Sequence, residues 1–291
     1  MKFWEKLLRT ISKRVARKPL QKFQANSMER VLKNSLQVID AQTLAEMRVF
    51  LIKQQTAEGG FADKGGNCDL YYSLFGCYVA EGLHVPEVMP LLKQYVKNVV
   101  QTHDLKGVYI HSAAILHAKL FGAETLPSTF IKRLDTDLYH GEKEHTAYSG
   151  FLGLMTFYYL GDYLGLYRIQ KKLKSIKSNS EMPCSVTAAQ LVLRHCFCQP
   201  TKDMEKRLYA FYRNDGSFSA INQAPIGDLL STAVALYALR FVNSDIRMIK
   251  PDCLNYVDSL YSEGGFCGTA IDTSLDVEYT FYGLLALGSL V

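Results

Sequence analysis

Long apolar runs are missing from this chain. No stretch of about 18 residues is both apolar and free of charge, which excludes an ordinary membrane-crossing helix. The N-terminus lacks an uninterrupted apolar core followed by a small-residue cleavage site, so it does not read as a secretory leader. Several catalytic signatures are also absent. There is no P-loop, no Gly-x-Gly-x-x-Gly, no Gly-x-Ser-x-Gly and no His-Glu-x-x-His, which removes the commonest nucleotide, serine-hydrolase and zinc-protease chemistries. Cysteines number seven, an odd count, and several sit in apolar segments. That pattern points to reduced thiols and a cytoplasmic setting rather than a disulfide framework.

What charge there is lies unevenly. The whole chain carries +5, yet residues 1–23 alone carry +7. The basic character therefore belongs to an arm and not to the remainder, which runs from 24 to 291 as one domain. Within "MKFWEKLLRTISKRVARKPLQKF", helical spacing places Phe3, Trp4, Leu7, Leu8, Ile11 and Val15 on one face. Lys6, Arg9, Lys13, Arg14 and Arg17 cover most of the rest. Lys18-Pro19 is the expected end of the helix. Two readings stand: a helix that lies on an anionic membrane surface through residues 1–18, peripheral at the inner face, or one that packs on its own domain. Nucleic acid is not expected, because the basic residues do not continue onto the domain.

The most informative feature is an internal repeat. "EGGFADKGGNCDLYYSLFG", "DGSFSAINQAPIGDLLSTAVA" and "EGGFCGTAIDTSLDVEYTFYG" share one grammar. A glycine-containing turn with Phe61, Phe218 or Phe266 precedes an aspartate: Asp69, Asp228 or Asp276. Four residues after each aspartate stands a hydroxyl (Ser73, Thr232, Thr280), and seven after it a small residue (Gly76, Ala235, Gly283). Glycine permits the tight turn, the phenylalanine plugs the core, and the aspartate caps a helix through its free N–H groups. The helices that follow are apolar nearly all round and should be buried. The small residue would let such helices approach closely.

Three further apolar helices are expected at about Val108–Gly122, His145–Gly161 and Cys184–Cys198. Amphipathic helices precede the apolar ones at Thr43–Gln55, Pro86–Gln101, Pro127–Tyr139, Tyr163–Ile176, Lys202–Arg213 and Arg247–Tyr261. No strand pattern of any length is visible. The expected fold is all-α: six outer helices alternating with six inner ones. Such an array forms an open solenoid or a closed ring, and six pairs suit an α/α toroid, the α6/α6 barrel, with the basic helix added in front.

On these residues the chain resembles the repeats of protein prenyltransferase β subunits and of terpenoid (squalene–hopene) cyclases, the prenyltransferase and squalene oxidase repeats. The resemblance covers about Thr43 to Val291. It implies an α/α toroid with an aromatic-lined central cavity, an isoprenoid or other lipid ligand, and a helical partner subunit. The segment "EHTAYSGFLGL" resembles the His-x-x-Tyr segment of the prenyltransferases. By that resemblance His145 would contact an isoprenoid diphosphate and Tyr148 would line the lipid pocket. The reading of the residues alone is a histidine at a helix start with a core tyrosine.

The chain also departs from the family. In "EMPCSVTAAQ", Cys184 matches the zinc Asp-x-Cys motif, but Met182 stands where the aspartate belongs and Glu181 is one position off. In "DLLST", Ser231 replaces the zinc histidine, as Tyr72 does in the first repeat. One ligand of three does not make a zinc site, so no metal and no cofactor is expected. The Asp-x-Asp-Asp acid of the cyclases is missing. "LDTDLY" (Asp135, Asp137) falls on an outer helix and reads as a solvated face, and no acidic pair follows "DTSLD" (Asp272, Asp276).

Other constellations read as structure. His195, Cys196 and Cys198 lie on one helix at spacings that do not share a face, and His111 and His117 also point apart. Lys171, Lys172, Lys174 and Lys177 form a basic stripe on an outer helix, either solvated or near a diphosphate.

The expected function is an isoprenoid-active enzyme of the prenyltransferase or terpenoid cyclase-like class. Asp276 or Asp69 would be its acid, and His145, Tyr148, Tyr71, Tyr72, Tyr279 and Phe151 would face the ligand. Aromatic faces suit an isoprenoid chain and stabilise a carbocation. The alternative is a toroid that binds a lipid or a protein partner without catalysis.

Overall fold

The computed structural model describes residues 2–102, 104–140, 147–173 and 182–291. The described chain is mostly helical. Six apolar helices follow one another in the sequence: α4 (Leu70–Leu83), α6 (Val108–Phe121), α8 (Ala147–Leu160), α10 (Cys184–Cys196), α12 (Leu229–Phe241) and α14 (Val277–Leu290). Each packs on the next, and α14 packs back on α4. Amphipathic helices alternate with them: α3 (Ala41–Lys53), α5 (Met89–Thr102), α7 (Ser128–His140), α9 (Tyr163–Leu173), α11 (Lys202–Tyr209) and α13 (Lys250–Ser259). In α5 the buried residues are Leu92, Val96, Val99 and Val100, the one-sided stripe of a helix with its other face in water. Among the described residues no helix is long and apolar enough to cross a membrane.

The repeated phrase has a definite physical meaning. Phe61 pairs with Asp69, and Phe266 with Asp276, in short antiparallel ribbons; Phe218 bridges Asp228 in the same way. The strands β1 (Phe61–Ala62), β2 (Cys68–Asp69), β3 (Tyr261–Ser262), β4 (Gly265–Cys267) and β5 (Leu275–Asp276) correct the expectation of no strands. They are too short for any alternating pattern to show in the sequence. The three phenylalanines are buried.

The hydroxyl four residues after each aspartate joins the turn to the helix. Ser73 Oγ accepts from the Phe61 N–H at 2.9 Å and donates to the Asp69 carbonyl at 2.6 Å. Thr232 and Thr280 make the same pair of bonds with Phe218 and Asp228, and with Phe266 and Asp276.

The small residue seven positions on makes room for its own repeat's phenylalanine rather than for a neighbouring helix. A Cβ at Gly76 would collide with the Phe61 ring, and one at Gly283 would lie 2.5 Å from the Phe266 ring. Gly76→Val is therefore expected to lower unfolding stability by about 2–3 kcal/mol, because a fully buried ring cannot retreat. A urea titration measures it, and an unchanged midpoint would show that the ring does move.

The N-terminal region differs most from expectation. Helix α1 (Lys2–Ala25) runs through Pro19 instead of ending before it. Proline fits helical φ and costs one ladder bond, while the extra turn buries Phe23 completely. The face that packs is Ser12, Ala16, Pro19 and Phe23, against α9 and α10. Ile11, which the spacing places on the apolar face, is 43% exposed and does not pack on the domain. Helix α2 (Met28–Ser35) follows, buries Met28, Val31 and Leu32, and packs on α4 and α14. All seven cysteines are free thiols.

Candidate functional site

All six apolar helices contribute to one internal cavity of about 240 Å³. Phe75, Ile115, Phe151, Val192, Val234 and Phe281 each bring one helix to its wall. Aromatic rings concentrate on the α4–α14 side. The Phe75 ring stands 4.7 Å from Tyr71, 4.9 Å from Phe281 and 5.5 Å from Tyr282.

One end of the cavity is stoppered by the N-terminal helices. Met28 of α2 is part of the lining, and Phe23 of α1 packs edge-on against Tyr158 at 4.8 Å and beside Phe151 and Phe241. A partly buried ion cluster fastens this stopper. Lys119 Nζ reaches Glu29 of α2 at 2.5 Å and Glu81 of α4 at 2.8 Å, with 6% of its side chain exposed. Tyr159 donates to the same Glu29 oxygen at 2.6 Å, and Tyr78 donates to Tyr159 at 2.9 Å. The ammonium also stands over the Tyr78 and Tyr159 rings. Burial works to raise the Glu29 pKa, but Lys119 and the hydrogen bonds outweigh it and hold the carboxylate ionised.

The other end lies at the N-termini of α4, α8 and α14. Tyr71 and Tyr148 line the cavity there and are in polar contact with each other. Beside them stands Glu278, the second residue of α14. Burial first, and then the neighbouring Asp276 charge, lift its pKa to about 7, with Tyr72, Lys64 and Tyr71 offsetting them only in part. At neutral pH this carboxyl is poised between its two protonation states, as a general acid or base must be. Lys64, from the β1–β2 turn, reaches over to Asp272 at 3.0 Å and stands 4.6 Å from the centre of the Tyr279 ring.

The other residues singled out in the sequence fall as follows. Asp69 and Asp276 both cap helices, accepting from the Tyr72 N–H at 2.9 Å and the Tyr279 N–H at 2.7 Å. The second Asp69 oxygen accepts from the Tyr109 hydroxyl, at the edge of a separate polar hollow of about 910 Å³. Asp276 has its second oxygen buried without a hydrogen bond, and burial raises its pKa. Phe151 lines the cavity with Tyr71 and Tyr148, whereas Tyr72 and Tyr279 stand outside the lining, around Glu278 and Lys64. His145 and Glu181 lie outside the described residues, as do Lys174 and Lys177.

Cys184 is fully buried, and its thiol donates to the Ser231 carbonyl at 3.6 Å. These two positions, which the sequence comparison aligned with zinc ligands, are thus neighbours. Among the described residues no group of three His, Cys, Asp or Glu side chains could hold a metal ion. His111 is buried against the Thr156 hydroxyl at 2.8 Å, and burial depresses its pKa to about 4. On α7, Asp137 accepts from the Gly107 N–H and Asp135 pairs with Arg168. Cys196 is buried and Cys198 exposed.

Glu278 is the functional candidate that sequence reasoning missed. The signal was the repeat itself. Two residues after the repeat aspartates stand Tyr71, Leu230 and Glu278. Tyr71 and Leu230 both line the cavity, whereas Glu278 stands outside the lining in polar contact with Tyr71. No family model matches the chain, and no curated protein matches it.

Proposed function

We propose that the closed succession of helix contacts is an α/α toroid, an α6/α6 barrel, and that the chain is an isoprenoid-active enzyme of the prenyltransferase or terpenoid cyclase-like class. The observation that carries this reading is an apolar, aromatic-sided cavity whose lining residue Tyr71 is in polar contact with a titratable carboxyl, Glu278. The apolar walls suit a hydrocarbon chain. The Tyr71, Phe75, Phe281 and Tyr282 rings suit a carbocation formed within it. The adjacency of Cys184 and Ser231 supports the register of the family resemblance, and the loss of its metal ligands favours acid chemistry over thiol alkylation. Glu278 takes the acid's role in place of Asp69 and Asp276, whose carboxylates are committed to helix caps. His145 is proposed as a diphosphate contact, and a helical partner subunit and a cytoplasmic setting complete the reading.

A second reading is a lipid-binding toroid without catalysis. The stopper formed by Phe23, Met28 and the Lys119 cluster favours it, because the chain's own side chains close one end of the cavity.

Native mass spectrometry with farnesyl and geranylgeranyl diphosphate, and with the corresponding alcohols, tests both. One ligand per chain is expected, weakened at least tenfold by Val192→Trp, which fills the cavity. A diphosphate preference that disappears in His145→Ala places the headgroup. A bound ligand recovered unchanged assigns the non-catalytic reading, and no adduct with any of the four overturns both.

A further inference from the structure

The outward face of α1 has no role in the cavity, yet its composition is one-sided. No acidic residue occurs between Lys6 and Met28, nor between Tyr163 and Leu173 of α9, on which α1 packs. Lys13, Arg14, Arg17 and Lys18 are exposed. Lys13 stands 5.5 Å from the centre of the Tyr163 ring, and Lys171 of α9 is exposed on the adjoining helix. Basic residues therefore do continue from the arm onto α9, which the sequence alone did not show. Between α1 and the end of α10 runs a groove of about 550 Å³ whose lining includes Arg14, Arg17, Lys18 and the amides of Gln21 and Gln170 but no carboxylate. Among the described residues no carboxylate comes within ion-pair distance of those three cations.

The same face also carries the apolar side chain of Ile11. Ile11 is 43% exposed, and Leu7, Trp4 and Phe3 stand four, seven and eight residues before it, the spacing of one helical stripe. Cations beside the exposed Ile11, on a sequence whose apolar residues recur at helical spacing, complement a surface that is anionic outside and hydrocarbon beneath. A nucleic acid matches the charge but leaves Ile11 in water.

We propose that this α1–α9 face docks on an anionic phospholipid bilayer, with a lipid headgroup phosphate seated among Arg14, Arg17 and Lys18. Each cation near such a surface adds to binding, and the attraction fades beyond a Debye length. The helix lies along the surface, its Ser12–Ala16–Phe23 side kept against the domain.

The test is co-sedimentation of the full chain with vesicles of phosphatidylcholine alone or with about one-third phosphatidylserine, at about 0.1 M and about 0.5 M salt. Binding is expected only with phosphatidylserine and is lost at the higher salt. Arg14→Glu/Arg17→Glu/Lys18→Glu should weaken it about 100-fold. Lys53→Glu/Lys93→Glu/Lys97→Glu, an equal charge change on exposed positions of α3 and α5, should leave it within about twofold. Equal binding to both vesicle types overturns the proposal, as does equal loss in both variants. Displacement from vesicles by duplex DNA or RNA would assign the face to nucleic acid instead. The measurement needs no cavity ligand, so its outcome is separate from that of the cavity reading.

Discussion

Lys119→Met is expected to lower unfolding stability by about 1–3 kcal/mol, because it leaves two carboxylates, each about one-third exposed, without their counter-charge. In the native chain Glu29 and Glu81 share the one ammonium, which is 6% exposed, and Tyr159 completes the Glu29 shell. Removing the ammonium leaves Glu29 with the desolvation it already bears and no charge to offset it. The effect is local before it is global. Glu29 belongs to α2, so the loss loosens the stopper and exposes that end of the cavity. Urea unfolding at neutral pH gives the magnitude, and limited proteolysis between α1 and α3 gives the place. A companion variant, Lys119→Met with Glu29→Gln and Glu81→Gln, should recover more than half of the loss, since no charge is then left buried alone. A single variant as stable as the native chain would mean that water reaches the cluster and that it fastens nothing.

The way this cluster forms explains what was legible in the sequence and what was not. The repeat was legible because each copy is a local device. Phe61, Ser73 and Gly76 act on one another within one turn and one helix, and the same spacing recurs at Phe218 and Phe266. The outer helices were legible through stripes such as Leu92, Val96 and Val99. The Glu29–Lys119 pair joins residues 90 positions apart, and nothing in either neighbourhood marks it. Helix α2 has only eight residues, too few for a periodic signal. Pro19 was read as a stop because the value of burying Phe23 beyond it depends on rings from α8 and α12. Asp276 drew attention as an acid because it recurs. Glu278 was passed over because it does not, although the departure from the repeat was the better sign of a function added to a structural frame.

Glu278→Gln is therefore the variant with the largest expected effect on chemistry. If the carboxyl donates its proton to a double bond of a bound isoprenoid, leaving a carbocation and the Glu278 carboxylate, the amide cannot replace it, and turnover of the ligand found by mass spectrometry falls by about 10²–10⁴. Ligand affinity should stay within about threefold, because an amide keeps the shape and polarity of the protonated acid beside Tyr71 and Tyr72. The same substitution has a signature that needs no substrate. The folded state raises the Glu278 pKa from 4.5 to about 7, so folding takes up a proton there. Stability that depends on that proton is fully present below the unfolded value of 4.5 and is lost as pH rises through 7. Asp228 and Asp276 are also raised by burial and act with the same sign, so the difference between native chain and variant reports Glu278 together with its coupling to Asp276. Relative to Glu278→Gln, the native chain should lose about 2–3 kcal/mol across that window. Parallel stability curves would show an ordinary surface carboxyl and remove the acid from the cavity. A divergent curve with unchanged turnover would keep the buried carboxyl and place the chemistry elsewhere on the ring.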